Sequence, residues 1–398
     1  MNATNIIKNI IKAESTPAYI FDVDSLQNRI FQIKEIIGDN IKLCYSIKAN
    51  PFIIPSLLNC IDNLEVCSPG ELDICKSLLP DNMNKIIYSG VSKTYDNIKD
   101  AFNANVGIYT AESINQVNLI NQIAKENALI LPVLLRLNAG SQFGMSPKDI
   151  TYIIHNRDSI FSNCSFEGIH YFAGTQRNNK GFKKQLDELD MLKAFFEQIK
   201  NEENFVFRKL EYGPGLPVPL FDNDNFDDTL TPLKTISDKL KEVSKWAELT
   251  IEMGRFIATE CGYYVTKLLE TKNANDTNYA IFDGGINHVN YVGQIMGMKT
   301  PIIYHCNSNG ELIEDSSEEW NICGSLCTTN DNLIRSYKAG NMNIGDYFIF
   351  TNIGAYSVTE GLYLFLSRTL PKIITTDSSF KYKVVRDFKE SSIINTSK

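Results

Sequence analysis

The chain has 398 residues, 43% of them hydrophobic and 22% charged, with a net charge of −8. This length suits two domains better than one small core, and the ordinary composition excludes a fibrous or disordered chain. The acidic balance argues against a nucleic-acid partner, and no run approaches the roughly 20 apolar residues of a membrane span.

The N-terminal stretch Met-Asn-Ala-Thr-Asn is followed by apolar residues interrupted by Lys and Asn, unlike a signal peptide, so a cytoplasmic protein is expected. Nine cysteines without regular spacing make a poor disulfide framework. Ala18–Asp22 reads as a strand preceding the first domain and free to pair with either. From residue 42 onward, short apolar runs alternate with amphipathic stretches. The strand candidates are Lys42–Ile47, Leu64–Cys67, Lys85–Ser89, Val106–Tyr109, Leu131–Leu137, Phe166–Tyr171, Lys209–Tyr212 and Leu249–Met253. Helices are predicted between them at Gly70–Leu79, Glu112–Glu126 and Lys183–Lys200. Such alternation implies right-handed βαβ units, and eight of them make a closed (β/α)8 TIM-like barrel of the α/β class. A doubly wound open sheet is the alternative, weakened by the lack of Gly-x-Gly-x-x-Gly after the first strand. After residue 255, Cys261–Leu269, Tyr279–Phe282, Pro301–Cys306 and Asp346–Thr351 read as strands without long helices between them, a C-terminal all-β domain. The expected division is a barrel over 23–255 and a β domain from 1–22 with 256–398.

Barrel enzymes react at the C-terminal ends of their strands. The first strand ends in Tyr45-Ser46-Ile47-Lys48-Ala49-Asn50. A desolvated Lys48 there can condense with an aldehyde, although an isolated lysine is more often a surface residue. The last two strands end in Glu211-Tyr212-Gly213-Pro214-Gly215 and Glu252-Met253-Gly254-Arg255, where barrels commonly bind phosphate. Glycine N–H groups and Arg255 suit a phosphate, and Glu252 should point inward toward a cation, either Arg255 or a protonated ring nitrogen. The sixth strand carries His170 and Phe172 on one face, where Phe172 could stack on a flat ring or pack the core. Later, Cys323-Gly324-Ser325-Leu326-Cys327 and Gly354-Ala355-Tyr356 are small-residue turns with reactive or hydrogen-bonding groups. The spacing of Cys323 and Cys327 lacks the second ligand pair of a zinc site, so no metal is expected.

Taken in order, Tyr-x-x-Lys-Ala-Asn, Gly-Thr-Gln, Gly-x-Gly, Glu-x-Gly-Arg, Cys-Gly-x-x-Cys and Gly-Ala-Tyr resemble the alanine-racemase-fold amino-acid decarboxylases from about Pro17 to Leu370. Ser68-x-Gly70-Glu71 and Phe143-Gly144 match the same family. The resemblance implies pyridoxal 5'-phosphate as cofactor and a head-to-tail homodimer with shared active sites. It makes Lys48 the lysine that binds the cofactor aldehyde, Gly213, Gly215, Arg255 and Tyr356 the phosphate contacts, and Glu252 the partner of the ring nitrogen. It makes Cys327 the residue, supplied across the dimer, that protonates Cα. The glutamate at 252 argues against the racemases of this fold, which have arginine there.

The departures bear on substrate. Phe172 stands where relatives stack a histidine, with His170 two residues earlier, and Pro214 removes one N–H from the usual triple glycine. After Cys327, diamino-acid enzymes carry Asp or Glu for the far ammonium; here it is Thr328. Asp283-Gly284-Gly285-Ile286-Asn287-His288 replaces the stretch that diaminopimelate decarboxylases follow with Arg, and Tyr291 stands near that position. Thr328, Tyr291 and Asp331 are therefore the candidate substrate contacts. The pattern is more similar to a siderophore and antibiotic branch acting on amino-acid conjugates, some delivered by a carrier protein. Diaminopimelate, ornithine, lysine or carboxynorspermidine decarboxylation stays open. So do a non-catalytic pyridoxal-phosphate-binding protein, disfavoured by residues 256–398, and a cofactor-free sugar-phosphate enzyme using Lys48.

Overall fold

The computed structural model describes residues 3–178, 182–224, 226, 228–291, 298–314 and 318–397. They divide into two compact units, one of Ile30–Pro217 with Asp228–Phe256, the other of Met1–Arg29, Val218–Asp227 and Ile257–Lys398. The first strand of the chain, β1 (Ala18–Asp22), lies in the second of these.

The first unit is a closed parallel barrel of β2 (Lys42–Ser46), β3 (Asn63–Val66), β4 (Ile86–Tyr88), β5 (Ile108–Ala111), β6 (Leu131–Arg136), β7 (Cys164–Phe172), β8 (Lys209–Gly213) and β9 (Glu248–Met253). Parallel pairing of β2 with β9, from Lys42 opposite Thr250 to Tyr45 opposite Met253, closes the ring. Helices cover the strands outside, so both strand faces are buried and the sequence shows near-continuous apolar runs. Each expected barrel strand is present within a residue or two, and the predicted helices appear as Pro69–Leu78, Ile114–Glu126 and Lys183–Glu203.

The second unit is a mixed sheet. After β10 (Gly262–Ala274) come β11 (Thr277–Phe282), β12 (Ile303–Cys306), β13 (Glu318–Cys323), β14 (Asn332–Ala339), β15 (Tyr347–Phe350), β16 (Lys372–Thr376) and β17 (Tyr382–Arg386). The sheet runs β14-β13-β11-β10-β1-β16-β17, with β15 joining β10 and β12 joining β15. β1 therefore sits between an antiparallel β10 and a parallel β16. The helical segment Ala3–Glu14 buries Ile6, Ile7, Ile10 and Ile11 in one cluster with Ile20, Val265 and Ile349. Among the described residues no helix is long and apolar enough to cross a membrane.

Candidate active site

Local bonding makes the turn after β2 project Lys48. Tyr45 donates its hydroxyl to the Asn50 carbonyl at 3.1 Å, and the Asn50 side chain accepts from the Phe52 N–H at 3.0 Å. Those bonds fold Ile47–Ala49 into a single 3-10 turn with Ile47 and Ala49 buried and Lys48 directed to the barrel mouth. After β3, Ser68 caps the next helix by accepting from the Glu71 N–H at 3.2 Å, while the Glu71 carboxylate accepts from the Cys67 N–H at 2.6 Å. This is a helix-capping arrangement shifted by one residue, and it fixes Cys67 beside Lys48. The Ser68-x-Gly70-Glu71 motif of this chain thus has a structural reason.

The Lys48 ammonium lies 2.6 Å from Glu65 Oε2, 3.6 Å from Glu252 Oε1 and 3.6 Å from the Cys67 sulfur. The Lys48 side chain is 35% exposed, whereas both carboxylates are 4% exposed. Glu252 also accepts from Ser46 Oγ at 2.8 Å, and its second oxygen lies 3.0 Å from His170 Nε2. Burial opposes the Glu252 charge, but the Lys48 ammonium and the His170 hydrogen bond overcome it and hold the carboxyl well below its ordinary range. Burial and the facing Glu65 carboxylate push the Cys67 thiol well up, so it is not a ready nucleophile. Ligand atoms of Glu65, His170 and Glu252 lie within 4.8 Å of one another, close enough for a metal ion, but the Lys48 ammonium already serves both carboxylates as their cation.

The ends of β7 and β8 form the next part of the rim. A Cβ on Gly213 would fall 2.4 Å from the Phe172 ring, so that ring lies directly over the glycine. Gly215 adopts φ +61°, and a Cβ there would fall 1.9 Å from the Gly174 carbonyl oxygen. The Arg177 N–H donates to the Gly215 carbonyl at 2.9 Å, tying the two loops together. Gly254 follows β9, and the buried Arg255 opens a short helix to Ala258. Across the mouth, Arg136 at the end of β6 stands 3.6 Å from Glu112 and 5.0 Å over the Phe143 ring. Lys48, His170, Phe172, Gly213, Gly215, Glu252 and Arg255 thus share the C-terminal ends of β2, β7, β8 and β9.

The remaining candidates belong to the sheet unit. Cys327 is exposed on the loop after β13, with Thr328 half-buried beside it. Asp331 is buried between Gly285 and Gly324, and accepts from the N–H groups of Ile286 at 2.9 Å and Leu326 at 2.7 Å. Tyr291 is buried and donates its hydroxyl to the Thr351 carbonyl at 2.9 Å. Tyr356 is half-buried with φ +70°.

Sequence reasoning passed over Glu65, Glu211 and Lys93. Lys93 is buried after β4 and donates to the carbonyls of Gly90 and Thr110 and to Gln116, and burial lowers it to about 8. The available signal for the two glutamates was an acidic residue flanked by apolar ones inside a barrel strand, as in Leu64-Glu65-Val66 and Leu210-Glu211-Tyr212.

An amine beside an ionised buried carboxylate, with glycine turns that admit no side chain, fits pyridoxal phosphate: the amine for its aldehyde, the carboxylate for its ring nitrogen, the turns for its phosphate. A closed parallel barrel with this rim, joined to a separate β-sheet unit, is the architecture of the alanine-racemase-fold enzymes. Residues 23–259 match the family model described as the pyridoxal binding domain of pyridoxal-dependent decarboxylases, and the chain belongs to that family. It is a carboxy-lyase that uses pyridoxal phosphate. It is 26% identical over 393 residues to 2-[(L-alanin-3-ylcarbamoyl)methyl]-2-hydroxybutanedioate decarboxylase of Staphylococcus aureus, covering 92% of this chain and 95% of that protein. It is 25% identical to the L-glutamyl-[BtrI acyl-carrier protein] decarboxylase of Niallia circulans, covering 94% and 92%. Diaminopimelate decarboxylase of Haemophilus influenzae is 24% identical over the same two shares. The crystal structure of the M. jannaschii diaminopimelate decarboxylase with L-lysine shares the fold at a TM-score of 0.82 and 22% identity, covering 96% of this chain and 92% of that one.

Proposed function

We propose that the enzyme removes the Cα carboxyl of an amino acid or amino-acid conjugate whose far end carries no ammonium, the kind of substrate used in siderophore or antibiotic assembly. The carrying observation is the loop after β13. From Gly324 to Asn330 it holds no acidic side chain, and the nearest, Asp331, is bonded to backbone N–H groups of its own unit. A far ammonium would find no counter-charge on this loop, and a buried unpaired charge is costly. The Tyr291 hydroxyl donates its proton to Thr351, whereas Thr328 Oγ1 accepts from the Asn330 N–H at 3.3 Å and keeps its own proton to donate, which makes Thr328 the side chain available for selection. The Staphylococcus and Niallia relatives, whose names describe a conjugate and a carrier-bound aminoacyl group, support this reading.

In the proposed division of labour, Lys48 binds the cofactor aldehyde, and the cofactor domain is the barrel unit, Ile30–Pro217 with Asp228–Phe256, against the 23–255 expected from the sequence. Gly213, Gly215 and Arg255, with Tyr356, hold the phosphate, and Phe172 covers the ring. Glu252, ionised and braced by His170 and Ser46, keeps the ring nitrogen protonated. Bound pyridoxal phosphate supplies the electron sink for the charge left as CO2 departs. Cys327, exposed and free of a disulfide, donates a proton to Cα from the second subunit of a homodimer.

Diaminopimelate is the second reading, because several relatives carry that name. Measuring CO2 release from the carbamoyl conjugate of the Staphylococcus relative, from a carrier-bound glutamyl group and from diaminopimelate separates them. Turnover of diaminopimelate alone would defeat the first reading.

A further inference from the structure

Glu211 lies in the middle of β8, is 1% exposed, and its two carboxyl oxygens meet no partner stronger than the Cys44 thiol among the described residues. The groups that face it are Cys44 from β2, Glu252 from β9, Glu65 from β3 and the Lys48 ammonium, with His170 its register neighbour on β7. On its lower side a cavity of about 60 Å3 brings up Lys42, Lys209 and Glu248. That space holds a few waters at most. Lys48 is already shared between Glu65 and Glu252. Within the cluster itself three carboxyl groups therefore meet the single ammonium of Lys48, Lys42 and Lys209 lying across the cavity, and a buried carboxylate without its own cation is strongly unfavourable.

We propose that Glu211 is a positioning residue that carries the single proton of this carboxyl cluster, standing as a neutral acid against Glu252 so that Glu252 remains the anion. It rests on the reading of Glu252 as the ring-nitrogen partner. Burial and the charges of Glu252 and Glu65 push Glu211 well above its ordinary range, while Glu252 is held well below its own. Carboxyl pairs driven apart in this way divide the roles of acid and base between them. An ionised Glu211 would repel Glu252 and raise it toward neutrality, removing the charge that the ring nitrogen needs.

A group whose folded-state value is raised binds its proton more tightly when folded, so its stabilisation fades as pH rises from the unfolded value of roughly 4.3 through the folded one. Unloaded wild type and Glu211→Gln should be compared by thermal unfolding between about pH 5 and 9. The amide cannot ionise, so wild type should lose roughly 2 °C or more relative to the variant across that range. Pyridoxal-phosphate affinity, measured by titration over the same range, should weaken toward alkaline pH in wild type by roughly threefold or more, and less in the variant. Parallel stability curves overturn the proposal. Unequal stability curves with identical affinity profiles leave the proton in place but separate Glu252 from the ring nitrogen, overturning only the reading it rests on. If the amide does not fold, Glu211→Met takes its place, since a neutral acid whose partner is only a weak thiol donor tolerates an apolar side chain of similar size. Failure of both variants to fold also overturns it.

Discussion

Lys48 Nζ stands 2.6 Å from Glu65 Oε2, so the amine of the barrel mouth is held by a carboxylate from the adjacent strand. β2 and β3 pair in register with Ser46 opposite Glu65, which places this contact one turn beyond the strand end. The contact fixes where the amine waits and which carboxylate shares it with Glu252.

Removing that amine should abolish covalent cofactor retention. Purified Lys48→Ala is expected to lack the visible absorbance of lysine-bound pyridoxal phosphate and to lose activity by roughly three orders of magnitude or more, about 4 kcal/mol. Glu65→Gln should keep the absorbance but take up cofactor more slowly when reloaded after dialysis, because the amide positions the free ammonium less strongly than a carboxylate does. Persistent absorbance in Lys48→Ala would refute the assignment.

Gly215 gives a second expectation. Alanine there meets both a left-handed backbone at φ +61° and the Gly174 carbonyl 1.9 Å from its Cβ. Strain of this kind typically costs about 1–3 kcal/mol. The loops after β7 and β8 must separate to relieve it, so Gly215→Ala should weaken cofactor binding roughly tenfold while lowering the melting temperature only modestly. Unchanged affinity would show that this turn does not grip the phosphate.

Much of this site could be read from the chain. Buried parallel strands announce themselves as apolar runs, and the lysine, the glycines and the Glu-x-Gly-Arg all fall at their ends. β13, β14, β16 and β17 were not anticipated, because Glu318-Glu319-Trp320-Asn321 mixes polar and apolar residues at exposed and half-buried positions and Lys372–Thr376 carries polar residues at both ends of a short apolar pair. Glu65 escaped notice as a partner of Lys48, since register between strands is a tertiary fact. The pairing of His170 with Glu252, 82 residues apart, was equally hidden.

Acid should weaken the sheet unit through His288. This imidazole is buried against Tyr264 at 2.8 Å and Asn287 at 3.0 Å. Burial, with Arg386 and Arg368 nearby, lowers it to about 3. A histidine near its ordinary value of roughly 6.5 in the unfolded chain gains its proton first, so stability falls as pH drops from there toward 3. His288→Gln is expected to be less stable than wild type at pH 7, yet to lose on the order of 3–5 kcal/mol less over that acid window. Denaturant titrations at several pH values measure it, and equal acid sensitivity of both proteins would contradict the assignment.

Substrate choice should respond to Thr328. Its loop is pinned by Asp331 to the N–H of Leu326 and by Arg368 to the Ser325 carbonyl, so an exchange at 328 leaves those anchors intact and gives up only the 3.3 Å bond that Thr328 Oγ1 accepts from the Asn330 N–H. An acidic residue there would supply the counter-charge that the loop lacks. Thr328→Glu is expected to raise kcat/KM for a diamino acid such as diaminopimelate relative to a conjugate without a terminal ammonium, by roughly tenfold or more for a partly desolvated ion pair. The gain should reside in KM, because the far end of the substrate is bound equally before and during the loss of CO2. It should also shrink at high salt, as screening weakens a pair that is not fully buried. An unchanged preference would mean that the substrate's far end lies elsewhere, and that the missing acid after Cys327 says nothing about what the enzyme consumes.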